Sequence, residues 1–266
     1  MSSLYGLIGE RLGHSLSPEI HSLILEKLNL KGLYNLFEVN NDDLKEAVIG
    51  LKALGAKGVN VTIPYKVEIM QYLDSISKEA EKIGAVNTIA FKENGIIGYN
   101  TDYYGFGESL KNGKIDIYNK NAVILGTGGA SKAVLHYLLD NGVKDVVYVS
   151  RNPENAMKQV KNFNIISYED MNKLKNTDII INCTPCGMYP KVEYSPVNRS
   201  ILSKFSSAVD LIYNPKETIF LKEARETGAK TVNGLYMLVA QAAASQEIWQ
   251  ERKISEEIIK QIYEKM

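Results

Sequence analysis

The chain has 266 residues, 45% of them hydrophobic, and its 31 basic residues balance 31 acidic ones. That length supports one large domain or two small ones with real cores, and the neutral balance excludes a global field that gathers nucleic acid or an anionic membrane. No apolar run approaches a transmembrane length and no basic-then-apolar leader opens the chain, so a cytoplasmic protein without membrane or nucleic-acid partners is expected.

Strand and helix patterns alternate along the chain, which predicts a parallel α/β architecture. Residues 4–9 read as a first strand. Ser17 reads as the cap of a helix with Pro18 in its first turn, running to about residue 28. Residues 33–39 predict a strand, 42–54 a helix and 58–62 a short strand that ends before Pro64. Segments 86–91 and 96–99 flank Asn94-Gly95, a signal for an antiparallel hairpin. A short helix after Thr101 leads into the Asn- and Lys-rich segment 111–121, read as the link to a second domain. Further strands are expected at 178–182 and 208–211, then a long apolar helix at 235–245 and a charged final helix. The terminal helices lie beyond the second domain and are expected to return to the first. The division expected is 1–101, completed by 236–266, as a substrate-binding and catalytic domain, and 102–235 as an NADP-binding domain.

The segment Asn121-Ala-Val-Ile-Leu-Gly-Thr-Gly-Gly-Ala-Ser-Lys-Ala-Val134 carries the most chemistry. An apolar strand breaks into a glycine-rich turn and then a helical pattern, the layout in which a helix N-terminus holds a pyrophosphate. Gly126 permits the tight turn, and Gly128 lets the backbone approach an anion unobstructed. Ser131 stands where the third glycine of the G-x-G-x-x-G pattern belongs. The next strand ends at Ser150-Arg151, about 25 residues after Gly126, without the acid that usually meets a free ribose 2′-hydroxyl. An arginine fork suits a 2′-phosphate, which favours NADP over NAD. Cys183 and Cys186 form one C-x-x-C pair. One pair does not fill a four-ligand zinc site, and His14, His21 and His136 have no matching spacing, so reduced, structural cysteines and no metal are expected.

In the first domain, four segments place polar groups where strands end. They are Gly13-His-Ser-Leu-Ser-Pro18, Gly58-Val-Asn-Val-Thr-Ile-Pro-Tyr-Lys66, Gly84-Ala-Val-Asn-Thr88 and Gly98-Tyr-Asn-Thr-Asp102. Strand ends border the binding crevice of an open α/β sheet, and this set of hydroxyls, amides, one Lys and one Asp suits a compact polyol. Each residue also has an ordinary reading: Ser17 or Asp102 as a helix cap, Asn87 in a turn, Lys66 in solvent. Gln241 interrupts the apolar run 235–244, where an unpaired amide is costly to bury. It bonds a neighbouring backbone group or faces a polar ligand.

Taken together and in order, these segments resemble shikimate dehydrogenase over nearly the whole chain. The match continues through Asn182-Cys-Thr-Pro185, Tyr213-Asn-Pro215 and Asn233-Gly-Leu-Tyr-Met-Leu238 to Gln241. The resemblance implies a two-domain α/β fold: an N-terminal substrate domain and a Rossmann-like, doubly wound parallel-sheet dinucleotide domain. It implies reversible reduction of 3-dehydroshikimate to shikimate by NADPH, a step of aromatic amino-acid biosynthesis. It assigns Ser15, Ser17, Thr62, Asn87 and Gln241 to the substrate's hydroxyls and carboxylate, with Asn60, Lys66, Asp102 and Tyr213 completing the pocket. Gly126, Thr127, Gly128, Gly129 and Ala130 fall at the pyrophosphate and Ser150 with Arg151 at the adenosine phosphate. Thr184, Gly234 and Met237 border the nicotinamide, and Leu211 is a further cofactor residue. NADP-preferring members commonly carry a second arginine a few residues after the first, where this chain has Asn155.

Lys66 and Asp102 are the expected catalytic pair. A carboxylate beside Lys66 favours the charged ammonium, which suits proton donation during ketone reduction. Two other readings of the sequence stand beside this one. They are a quinate/shikimate dehydrogenase that uses NAD or NADP, and a non-catalytic sensor of a metabolite or nucleotide. A monomer and a homodimer are equally compatible with the sequence.

Overall fold

The computed structural model describes residues 2–13, 15–160 and 162–266. The chain divides into two compact units, residues 1–105 with 238–266 (unit 1) and residues 106–237 (unit 2).

Unit 1 begins β1 (Ser3–Gly9), α1 (Ser17–Lys27), β2 (Gly32–Glu38), α2 (Leu44–Ala53), β3 (Ala56–Val61), β4 (Ser75–Ile76), α3 (Lys78–Ile83), β5 (Thr88–Lys92) and β6 (Gly95–Tyr99). Its sheet runs in the order β2-β1-β3-β5-β6-β4. The pairs β1–β2, β1–β3 and β4–β6 are parallel, whereas β3–β5 and β5–β6 are antiparallel. The sheet is therefore mixed rather than wholly parallel, because a short hairpin replaces a helical crossover between β5 and β6. The hairpin turn lies one residue earlier than Asn94-Gly95 predicts: Lys92 pairs with Gly95, leaving Glu93 and Asn94 as the loop. Gly95 has φ +134°, and a Cβ there would sit 2.8 Å from the Asp74 carboxylate that accepts from Ile96 N.

Successive β3 residues point to opposite faces of the sheet. Val59 and Val61 join Ile8, Leu44, Tyr65 and Ile89 in one apolar layer. The other face is covered by Tyr5, Leu7, Leu25, Tyr34 and Trp249. Trp249 donates Nε1 to Ile89 O (2.9 Å) and stacks on Tyr5 at 5.1 Å. Its indole occupies the space that a Cβ on Gly58 would take.

Unit 2 starts within α4 (Asp102–Asn112) and contains β7 (Asn121–Leu125), α5 (Gly129–Asp140), β8 (Asp145–Val149), α6 (Pro153–Gln159), β9 (Asn164–Ile166), β10 (Ile179–Asn182), α7 (Arg199–Leu202), β11 (Ser207–Asp210), α8 (Ile219–Glu226) and β12 (Lys230–Val232). All its strand pairs are parallel, in the order β12-β11-β10-β7-β8-β9. That is a doubly wound, Rossmann-like sheet. Ala122 and Ile124 of β7 face one apolar layer, and Val123 and Leu125 the other. This explains the uninterrupted apolar run in the sequence, since both faces of a parallel sheet are covered. Segment 111–121, read as a link, belongs to this unit, where Ile115 and Ile117 are buried in its core. The terminal helices are α9 (Leu235–Gln250) and α10 (Glu256–Lys265). The unit boundaries fall inside α4 and α9, and from residue 238 onward the chain belongs to unit 1. Among the described residues, no helix is long and apolar enough to cross a membrane.

Candidate active site

In unit 1, strand register gathers the polar residues. Asn60, one residue from the end of β3, lies opposite Thr88, the first residue of β5. Thr88 in turn pairs with Tyr99, so Asn87 on one strand and Asn100, Thr101 and Asp102 on the other emerge side by side. Asp102 opens α4, and its backbone N donates to Asn100 Oδ1 at 3.1 Å. Its carboxylate is therefore not spent on a helix cap. Oδ2 accepts from Lys66 Nζ at 2.6 Å, and Oδ1 accepts from Asn87 Nδ2 at 2.9 Å. The Lys66 and Asp102 side chains are only 14% and 8% exposed, so water screens this ion pair poorly.

Asn87 is buried and oriented from both ends. Its Oδ1 accepts from Thr101 N (2.7 Å) and from Thr88 Oγ1 (3.0 Å), which leaves Nδ2 to meet Asp102. Asn60 is also buried, and its amide is consumed inside the protein. Nδ2 donates to Asn87 O (3.2 Å), Thr88 Oγ1 (3.0 Å) and Ser245 Oγ (2.9 Å), while Oδ1 accepts from Tyr34 OH (2.8 Å). Its donors are used within the protein, as are those of Asn87, whose Nδ2 also donates to Thr101 Oγ1 at 3.0 Å. Gln241 realises the backbone alternative: Nε2 donates to Leu238 O at 2.8 Å, and Oε1 accepts from Thr101 Oγ1 at 3.4 Å. One N–H of its amide stays available, because a side-chain amide carries two donors.

Ser17 is the first residue of α1, whose cap position is Leu16 with no side-chain cap bond, so the expected Ser17 cap is absent. Proline at the second helical position leaves one fewer N–H for a cap to satisfy. Ser17 lies instead against the buried Tyr34 phenol. Ser15 Oγ accepts from Ser17 N at 3.2 Å, and half-buried Thr62 follows β3 with its N–H on Ile8 O. His14 lies outside the described residues.

His21, Tyr34, Thr88, Thr101 and Ser245 were not singled out from the sequence, yet they join this cluster. Two had a signal in spacing: His21 is four residues after Ser17 and Ser245 four after Gln241, so each shares a helix face with its partner. His21 is wholly buried, stacks on Tyr34 at 4.0 Å and contacts Gln246 Nε2 through Nδ1 at 3.0 Å. Burial lowers its pKa from 6.5 to about 3, with Asn60 opposing the shift. A folded pKa below the unfolded one means that only the unfolded chain takes up this proton between those limits. His21 is thus expected to steepen acid destabilisation by about 1.4 kcal/mol per pH unit as pH falls from 6.5 towards 3. Comparing unfolding free energies of wild type and His21→Asn from pH 6.5 to 4 checks this, and identical slopes would contradict it.

In unit 2, Gly126 has φ +90°, and a Cβ there would lie 2.8 Å from Thr184 Cγ2. A Cβ on Gly128 would meet nothing within 4 Å. Gly128 caps α5 without a side-chain cap bond, and Thr127, Gly129 and Ala130 complete the turn and the helix start. The first-turn N–H groups of a helix have no partners within it, so this uncapped end fits a pyrophosphate. Ser131 fills the third-glycine position by folding its hydroxyl onto Gly128 O at 2.7 Å, and Tyr148 OH reaches Ser131 O at 3.2 Å. Close helix–strand packing is thereby kept without a glycine.

After β8, Ser150 Oγ is tied to Asn152, and Arg151 is exposed with no carboxylate partner among the described residues. Asn155 lies exposed in α6, its N–H held by Asn152 Oδ1. Thr184 and Leu211 follow β10 and β11. Gly234 packs so closely that a Cβ would fall 2.1 Å from Leu211 O, and Met237 is buried in the core. Tyr213 is half-buried and also belongs to unit 2. Cys183 and Cys186 are free thiols, and burial with the Asp210 charge pushes the pKa of both up.

Residues 7–89 match the family model described as the shikimate dehydrogenase substrate binding domain, and residues 109–208 the one described as shikimate / quinate 5-dehydrogenase. The chain is 49% identical over 265 residues to the shikimate dehydrogenase (NADP(+)) of Clostridium perfringens, covering 99% of this chain and 98% of the relative. A chorismate mutase/shikimate 5-dehydrogenase fusion protein from Clostridium acetobutylicum is 57% identical, with a TM-score of 0.96 and coverage of 99% and 97%. The Thermus thermophilus shikimate 5-dehydrogenase in complex with NADP(H) and shikimate is 31% identical, with a TM-score of 0.88 and coverage of 99% of each chain.

Proposed function

The chain belongs to the shikimate dehydrogenase family, and we propose that its Lys66–Asp102 pair moves the proton in the reversible, NADPH-dependent reduction of 3-dehydroshikimate to shikimate. The observation that carries this reading is the shielded 2.6 Å ion pair, held from behind by Asn87. NADPH, when bound, supplies the hydride. A ketone that receives a hydride needs a proton on its oxygen, and Lys66 is the acid available for it. One Nζ–H is held by Asp102, which leaves two for substrate oxygens. Asp102 steadies the ammonium and has a lone pair left for a substrate hydroxyl. In the oxidation direction the same pair receives the hydroxyl proton.

Ser15, Ser17, Thr62, Asn87 and Gln241 supply hydroxyls and amides for the substrate's own hydroxyls and carboxylate. For the cofactor, the turn of residues 126–130 takes the pyrophosphate, Ser150 and Arg151 the 2′-phosphate, and Thr184, Leu211, Gly234 and Met237 the nicotinamide. With Asn155 where a second arginine is common, Arg151 alone supplies the guanidinium to the 2′-phosphate. Arg151→Ala is accordingly expected to raise KM for NADP by about tenfold or more, the worth of a charge-assisted hydrogen bond, while KM for NAD barely moves. Steady-state kinetics with both cofactors test this, and an equal change for the two would remove Arg151 from phosphate recognition.

A further inference from the structure

Next to the Gly126 turn lies a buried relay whose inner members, Asp210 and Asn182, are assigned to no ligand. Asp210 ends β11 with no exposure, and its carboxylate accepts from Thr218 Oγ1 (2.7 Å), Asn182 Nδ2 (3.0 Å) and Ile212 N (3.1 Å). Asn182 ends the neighbouring β10, also with no exposure, and pairs across the sheet with Asp210 on one side and Leu125 of β7 on the other. Its Nδ2 also reaches Cys186 O at 3.4 Å. Its Oδ1 accepts from Thr184 N (3.0 Å) and Thr184 Oγ1 (2.7 Å), and Cys186 N closes the loop onto Thr184 Oγ1 at 3.2 Å. Thr184 Cγ2 then packs against Gly126, where only a glycine leaves it room.

We propose that Asp210 and Asn182 are positioning residues for the dinucleotide, setting the Thr184 loop that walls the Gly126 turn. This rests on the reading that the turn holds NADP. The reasoning turns on donors and acceptors. Burial pushes the Asp210 carboxyl up to about 6; above that pH it is ionised and only accepts, so Asp210 makes Asn182 present its NH2 inward and its carbonyl oxygen outward to Thr184. Were the amide reversed, its NH2 would face the Thr184 N–H, donor against donor. The groups around Asp210 do not supply an alternative. Thr218 donates to it, the Cys183 and Cys186 thiols feel its charge, and Arg151 acts on Cys186 with the opposite sign. Among the described residues no cation pairs with Asp210.

Asn182→Asp separates this role from a merely structural one. It sets two carboxyls at about the 3.0 Å of the present contact, where they must share a proton. With the proton shared, the outward oxygen still accepts from Thr184; once both ionise, repulsion opens the relay. NADPH binding to the intact chain, followed by nicotinamide fluorescence at pH 7 and pH 9, reads this directly, since at both values the wild-type Asp210 is ionised. The variant is expected to bind within about threefold of wild type at pH 7 and about tenfold or more weaker at pH 9. Titration of the cofactor's own 2′-phosphate is common to both proteins and cancels in the ratio. A variant-to-wild-type ratio that is the same at both pH values would overturn the relay. Failure of the wild type to bind NADPH would instead remove the cofactor reading on which it rests. Should Asn182→Asp not fold, Thr184→Val keeps the shape and cuts the 2.7 Å bond. It is expected to weaken NADPH binding about fivefold, and unchanged binding would overturn the proposal.

Discussion

Lys66→Ala is expected to lower kcat for shikimate oxidation by at least about 100-fold, the lower end for removal of a general acid–base group. The size of the effect follows from the isolation of the pair. Lys66 and Asp102 meet at 2.6 Å with little solvent access, and no second cation contacts Asp102 among the described residues. Removing the ammonium leaves the Asp102 carboxylate held by Asn87 alone, without a proton donor beside the reacting oxygen. Because the substitution lies in unit 1, NADPH affinity measured without substrate should stay near the wild-type value. Stopped-flow single-turnover measurements would locate the loss in the chemical step. Near-normal turnover by a folded Lys66→Ala protein would remove Lys66 from proton transfer.

Gly234→Ala is expected to be the most damaging one-methyl addition at the cofactor-side residues. The added Cβ would fall 2.1 Å from Leu211 O and 2.5 Å from Leu211 C, and both contacts are with backbone. No rotamer change relieves such a clash, and Gly234 N is tied to Ile212 O at 2.9 Å, so the two segments cannot part freely. Gly234 does not have a positive φ, so the cost is steric rather than conformational. Overpacking of this kind costs about 3 kcal/mol or more, which for a unit of this size lowers Tm by roughly 10 °C. Calorimetry with and without NADPH measures both stability and binding. A variant that melts like wild type would mean that Leu211 and Gly234 are less tightly apposed than described.

Unit 2 was largely legible in the sequence because its strands are buried on both faces and its first turn carries glycines with a steric purpose. Its edge strands β9 and β12, three residues each, were not legible. Segments that short lack a period to read, and pairing along one side defines them. Segment 111–121 misleads because its polar residues outnumber the two isoleucines that anchor it. In unit 1 the loops bearing Lys66, Asn87 and Asp102 could be picked out because polar residues follow short apolar runs. The antiparallel register that sets Asn60 opposite Thr88 could not, since pairing partners 28 residues apart leave no local trace. For the same reason spacing did not distinguish Asn60, whose amide is consumed within the protein, from Lys66. Asn60 lies near the end of β3 and Lys66 shortly after it, and only hydrogen-bond partners separate an amide used within the protein from an ammonium with donors to spare.

Initial rates of oxidation of shikimate and of quinate, each with NADP and with NAD, test the central claim most directly through the absorbance of reduced nicotinamide. The arrangement of Arg151 and the unit 1 cluster predicts high activity with shikimate and NADP, and much lower rates in the other three combinations. Comparable rates with quinate or with NAD, or no activity from folded protein in any combination, would contradict it.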